Sequence, residues 1–213
     1  NNDAKILRME DAPLKLKSGR PKTIVRDDIT HIAMISYWSE GPQNVSINEI
    51  CRRAKIAKPG LYREFGNEDG LQREALMRYH TLAVAPLTHI FSPKCSLAQG
   101  LDELIKFLLQ DRVAAGLPNG CLLVKARQCF KELGAQTQAL ANEYDKLNHN
   151  KLVAWLEHRQ KAGDLSKSLS ISLAASYIGV QMTNALRMQE QGEPTEVIRG
   201  VTELALSVLL RQE

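Results

Sequence analysis

Aromatic residues are scarce in this chain, at 5% of its 213 positions, and no apolar run approaches the roughly 18 residues that a membrane span requires. The four cysteines, Cys51, Cys95, Cys121 and Cys129, form no CxxC pair, and none of the five scattered histidines lies at zinc-finger spacing from them. No metal site and no cofactor are therefore expected, and the thiols should be free in a reducing compartment. There is no nucleophile–base pattern, glycine-rich phosphate loop or carboxylate pair, so an enzyme is not expected. Asn1 to Glu10 is polar and lacks the apolar stretch of a secretory signal, which makes the cytoplasm the expected compartment. Strand-type alternation is nearly missing as well.

What is present is helical periodicity and an uneven charge. The net charge is +4. From Asn1 to Gly66 there are 12 Lys/Arg against 8 Asp/Glu, and from Asn67 to Glu213 there are 16 of each. All the excess thus sits in the first third. Two acid-free runs carry it: Lys15, Lys17, Arg20, Lys22 and Arg26, then Arg52, Arg53, Lys55, Lys58 and Arg63. A basic head on a neutral body points to a polyanionic partner. A purely structural or protein-binding helical module accounts for the body but not for that head.

The apolar spacing predicts an all-α protein. A first helix is expected over Asp27 to Ser39, with Ile29, Ile32, Ala33, Ile35, Ser36 and Trp38 on its buried side and Gly41-Pro42 stopping it. Ser46 starts a short helix to Arg53, and Glu49 three residues on suggests a capping box. Ala54-Lys55-Ile56 makes a tight connection. The next helix, about Lys58 to Phe65, takes Pro59 in its first turn, where a missing N–H costs nothing, and ends at Gly66. Asn67 caps a longer helix with Glu68 and Asp69 at its positive end, running towards Pro86. Further helices follow over about Ser96 to Ala115, Cys121 to Leu133, Ala135 to Lys161, Ser168 to Gln191 and Pro194 to Gln212.

Ile47, Ile50, Cys51 and Ala54 form one face, and Ile56, Leu61 and Phe65 supply the facing side. Two short helices sharing a small core across three residues meet the needs of a helix-turn-helix, whose second helix enters a major groove. The segment Lys55 to Leu71, KIAKPGLYREFGNEDGL, resembles the GVSKGTLYRHFPSKEAL pattern of the TetR family of repressors. The Leu61-Tyr62-Arg63-x-Phe65 core, the spacing from Ser46 and the Leu71 anchor all match, over about Val25 to Leu76.

The resemblance implies a flexible basic arm over 1–22, a three-helix DNA-binding domain over 23–70 and a ligand-binding and dimerisation domain over 71–213, about nine helices in all. It implies a double-stranded DNA operator, a homodimer and a small, mostly apolar inducer whose binding releases the repressor. Ser46, Lys58, Gly60, Tyr62 and Arg63 match the family's DNA-contacting positions, with Tyr62 on a phosphate. Arg20-Pro21-Lys22 resembles the arms some relatives lay in a minor groove. Three departures stand out. Ala57 replaces a capping serine, at a cost of roughly 1 kcal/mol. Glu64 replaces a histidine, and Glu68 a lysine, and both acids would repel phosphates.

In the body the family dimerises through its last two helices, here Ser168 to Gln191 and Pro194 to Gln212. Their small and apolar stripes would serve intramolecular packing equally well. The expected pocket lining is Phe107, Leu108, Cys121, Val124, Gln128, Tyr144, Leu147, Trp155, Tyr177 and Gln181, apolar walls with few polar groups. Asn119-Gly120-Cys121-Leu122-Leu123 resembles a segment of a subgroup, some members of which sense electrophiles through a cysteine. That leaves an alternative in which Cys121 is the sensor, its thiol acidified by a helix N-terminus and by Lys125, beside the plainer one of a buried hydrophobe.

Overall fold

The computed structural model describes residues 26–91 and 94–210, less the side chain of Thr88. The basic arm, with Arg20 and Lys22, lies outside the described residues, as does the end of the last expected helix. Among the described residues every regular element is helical: α1 (Arg26–Glu40), α2 (Ile47–Arg53), α3 (Lys58–Phe65), α4 (Glu68–Tyr79), α5 (Leu87–Ile90), α6 (Leu97–Leu108), α7 (Leu122–Gln128), α8 (Ala135–Ala162), α9 (Ile171–Glu190) and α10 (Thr195–Leu206). The all-α expectation holds.

The head is built by local chemistry. Ser46 Oγ accepts the Glu49 amide at 3.3 Å and caps α2. The expected capping box is only half made, because the Glu49 carboxylate turns instead to Arg52 and Arg53. Lys55 takes the left-handed backbone conformation, with φ of 51°, and so reverses the chain between α2 and α3. Asn67 Oδ1 accepts the Gly70 amide at 2.8 Å and starts α4. α1 buries Ile29, Ala33 and Trp38 as expected, but also Met34 and Tyr37, while Ile32 and Ile35 are only half-buried.

α4 packs on α1 on one side and on α8 on the other, so it belongs to both halves of the molecule. One hydrophobic core runs from Ile29 and Trp38 through Leu61, Leu71 and Leu76 to Leu122 and Ala141, and a second joins α6, α8, α9 and α10. Beyond Tyr79 the helix widens into one π turn, His80–Val84, where the Ala85 amide bonds to His80 O at 2.8 Å, and α5 follows Pro86. A proline with no N–H and a ring that crowds the preceding turn explains the change of pitch.

α6 stops at Leu108, well before Ala115. Arg112 folds back and donates through Nη1 to Leu108 O (3.3 Å) and through Nη2 to Phe107 O (3.4 Å), satisfying carbonyls that a longer helix would have used. α7 likewise ends at Gln128 and passes into a 3-10 turn, Phe130–Glu132. α9 and α10 pack together, and α10 ends in a 3-10 turn, Ser207–Leu210.

Candidate functional site

The outer face of α3 is polar because its inner face is spent on Leu61 and Phe65, both buried. Lys58 Nζ lies 5.6 Å from the centroid of the Tyr62 ring, and Tyr62 is 36% exposed. Arg63 projects into solvent, with Glu64 the nearest acid at 3.7 Å. Ser46 is exposed, and because its oxygen accepts in the cap, its O–H remains able to donate. Gly60 is half-buried; a Cβ there would lie 3.2 Å from Ile56 Cγ1, so tight packing of the turn accounts for glycine at this position.

The cationic face is narrower than the charge count suggests. Arg52 pairs with Glu49 at 2.6 Å, and Arg53 is held by Glu49 and Glu40. These arginines hold the Glu49 carboxyl down at about 2. Lys55 and Lys58 make no ion pair among the described residues, and Lys55 stands where the family pattern has glycine. Glu64 faces Arg63 with its carboxylate and accepts Arg26 through its main-chain carbonyl, so its charge is partly offset.

The body holds a cavity of about 590 Å³ between the π turn, α6, α7, α8 and α9. Four of the ten expected residues line it: Phe107, Leu108, Cys121 and Val124. The other six do not. Gln128 and Leu147 are exposed, and Tyr144 stacks on His80 with centroids 3.8 Å apart. Trp155 is buried in the second core, wedged against Gly100 and Phe91. Tyr177 donates to Ala205 O at 2.8 Å and so ties α9 to α10. Gln181 is half-buried on α9, away from the cavity wall. Sequence reasoning missed Tyr79, Met182, Thr183 and above all Arg112, which the premature end of α6 turns towards the cavity.

Cys121 lacks the acidified thiol that the sensor alternative calls for. It is the N-cap of α7, but its side chain makes no cap hydrogen bond, and burial pushes its thiol up despite the hydrogen bond from Tyr79 and the favourable amides of Val124 and Leu123. Lys125 does not oppose this. Its ammonium donates to Ser39 O at 2.7 Å and pairs with Glu190 at 2.6 Å, clamping α7 to the end of α1.

A clamp therefore joins cavity to head. Tyr79 donates to Cys121 Sγ at 3.1 Å and packs edge-on against Trp38 with centroids 4.7 Å apart, while Trp38 Nε1 donates to Gly120 O at 3.2 Å.

A two-helix reader with a cation-bearing outer face, packed through α1 and α4 on a helical body, defines a helix-turn-helix DNA-binding regulator. Residues 29–75 match the model of "Bacterial regulatory proteins, tetR family". The chain is 22% identical over 166 residues to the HTH-type transcriptional repressor ComR of Escherichia coli (strain K12), covering 78% of this chain and 79% of that protein. A cysteine mutant of the TetR family regulator CifR, solved with 26-base-pair double-strand operator DNA, superposes with a TM-score of 0.73 at 22% identity, over 88% of this chain and 98% of that one. A TetR family regulator from Agrobacterium tumefaciens gives 0.76 at 16% identity, over 87% and 97%. The tetR-family match is thus to the DNA-binding segment, residues 29–75, and the likeness of the rest of the chain to these regulators is one of fold.

Proposed function

We propose that the chain is a ligand-responsive repressor: residues 23–70 hold a DNA operator, and residues 71–213 bind a small molecule and pair two copies. Ser46, Lys58, Tyr62 and Arg63, with Gly60 in the same turn, are the DNA-contacting residues of the head, and Arg20 and Lys22 of the arm add further contacts. Phosphate contacts supply affinity, and on this reading Arg63 reads a base edge. It acts by binding, not by catalysis.

The observation that carries this reading is Tyr79. One ring both lines the cavity and braces Trp38 of α1. An occupant that displaces Tyr79 must disturb the head, and release by tenfold needs only about 1.4 kcal/mol of differential binding. The lining is mainly apolar, in keeping with a mostly apolar inducer. A cysteine sensor finds less support, since a half-buried thiol whose pKa is raised is a poor nucleophile.

Exposed Leu204 (74%), Val201 and Val208 on the last helix and its 3-10 extension, with Leu173 and Val180 on α9, form the surface on which a second copy would pair. An operator with twofold symmetry needs such a pair.

The test is a duplex selected by the protein from a random pool, with Nile red as a neutral apolar probe of the cavity. Compounds that displace Nile red should also weaken duplex binding, in wild type and in Cys121→Ser alike. Displacers that leave DNA binding untouched would count against the proposal.

A further inference from the structure

Arg112 is a deeply placed cation of the cavity wall with no carboxylate partner among the described residues. Arg112 is 8% exposed and is a lining residue. Its Nη1 donates to Leu108 O (3.3 Å) and to Gln189 Oε1 (3.1 Å), and its Nη2 to Phe107 O (3.4 Å). All three acceptors are neutral. A guanidinium has five N–H donors, so Nε–H and a second Nη2 hydrogen find no acceptor among the described residues.

The acids that could neutralise Arg112 are committed elsewhere. Asp111, its chain neighbour, accepts the Ala114 amide at 3.0 Å. Glu190 pairs with Lys125, and Asp145, at the opposite wall, pairs with Arg127. Among the described residues no carboxylate ion-pairs with Arg112. The C-terminal end of α6 offers it only the partial negative charge of helix carbonyls. Burial accordingly pulls its pKa down from the ordinary guanidinium value. A buried charge in this condition is costly unless a partner arrives.

The geometry points to a ligand with one carboxylate and an apolar body, the carboxylate accepting the open N–H groups of Arg112 and the body lying along Phe107, Val124 and Met182. This rests on the reading of the cavity as the ligand site and narrows its chemistry. A planar carboxylate matches the guanidinium fork, and a charge-assisted bond is roughly twice as strong as a neutral one. Asp145 on the far wall is already paired with Arg127, and Lys146 and Lys151 of the same helix also reach the lining, so the wall as a whole favours an anionic head over an amine. A neutral apolar ligand would leave the fork unpaired, and an amine would meet like charge.

The experiment is Nile red displacement from the full chain by decanoate, decanol and decylamine. Wild type should bind decanoate about tenfold more tightly than decanol, with decylamine weakest, as expected when one charge-assisted pair is gained. Arg112→Gln, which can still bond to the α6 carbonyls, should lose the preference while keeping decanol affinity, and Arg112→Lys should restore part of it. Equal binding of acid and alcohol by wild type, or a preference that survives Arg112→Gln, overturns the inference and leaves the cavity reading intact. If Nile red does not bind at all, the cavity reading falls as well. The wild-type comparison of acid with alcohol decides the matter even if Arg112→Gln fails to fold.

Discussion

The carboxylate of Asp69, in the first turn of α4, accepts the hydroxyl of Thr137 at 2.6 Å and the amides of Thr137 and Gln136 at 2.9 Å each. Asp69 thus caps α8 from another helix, a role that Gly134, the N-cap of α8, cannot fill itself. A Cβ at Gly134 would lie 2.1 Å from Asp69 Cγ, so glycine there is what lets the two helices meet. Burial alone would raise the Asp69 carboxyl, but the Thr137 hydroxyl and the two amides outweigh it and hold it below its usual range.

Asp69→Ala and Gly134→Ala should each cost about 2 kcal/mol, seen as a fall of about 4–8 °C in Tm. The sign with pH follows from the lowered carboxyl. The Asp69 contribution is complete above the unfolded carboxylate range, near about 4, and is lost as pH falls through the lower folded value. The Tm gap between wild type and Asp69→Ala should therefore close in acid. A gap independent of pH would show that the carboxylate is not the cause.

Lys55 carries backbone strain in the helix-turn-helix itself. A left-handed conformation costs a non-glycine residue about 1 kcal/mol or more, so Lys55→Gly should raise Tm, whereas Lys55→Ala, which keeps the strain, should not. Equal Tm values for the two variants would remove the strain argument.

Much of the head was legible because its signals are local: Ser46 and Asn67 as caps, Pro59 in the first turn of α3, Gly66 at its end. The strained turn was passed over, although Lys55 stands where the pattern has glycine. The cavity was far less legible. Its lining depends on where α6 and α7 stop, and those ends are set by tertiary partners such as Arg112 on the α6 carbonyls. Helical spacing placed Trp155 and Tyr177 on inward faces without telling which inward space was already filled. The turn of Lys125 towards Ser39 and Glu190 depends on contacts with distant segments that no local pattern encodes.

The DNA face should separate free cations from paired ones. Lys58→Ala should weaken binding to any duplex and reduce the salt slope by about 1, and Tyr62→Phe should weaken binding with little change of slope. Arg52→Ala, whose charge is already met by Glu49 at 2.6 Å, should do less than Lys58→Ala. Anisotropy titrations at several salt concentrations check the order. The reverse order would mean that the Arg52–Glu49 pair opens on DNA.

The pairing surface should be sensitive to charge. Leu204→Glu with Val208→Glu places two carboxylates on exposed apolar positions, so the monomer should fold with near-native helicity while light scattering reports half the mass. A wild-type chain that is monomeric at micromolar concentration would refute this arrangement.

The most direct test of coupling between cavity and head needs no ligand. Gly179 lines the cavity, and a Cβ built there meets nothing within 4 Å. Gly179→Phe should fold, occupy the cavity permanently and press on the wall that Tyr79 shares with Trp38. In an anisotropy titration against one selected duplex, wild type should bind with strong salt dependence and Gly179→Phe about tenfold more weakly. A Gly179→Phe chain of unchanged Tm that binds the duplex as tightly as wild type would contradict the account.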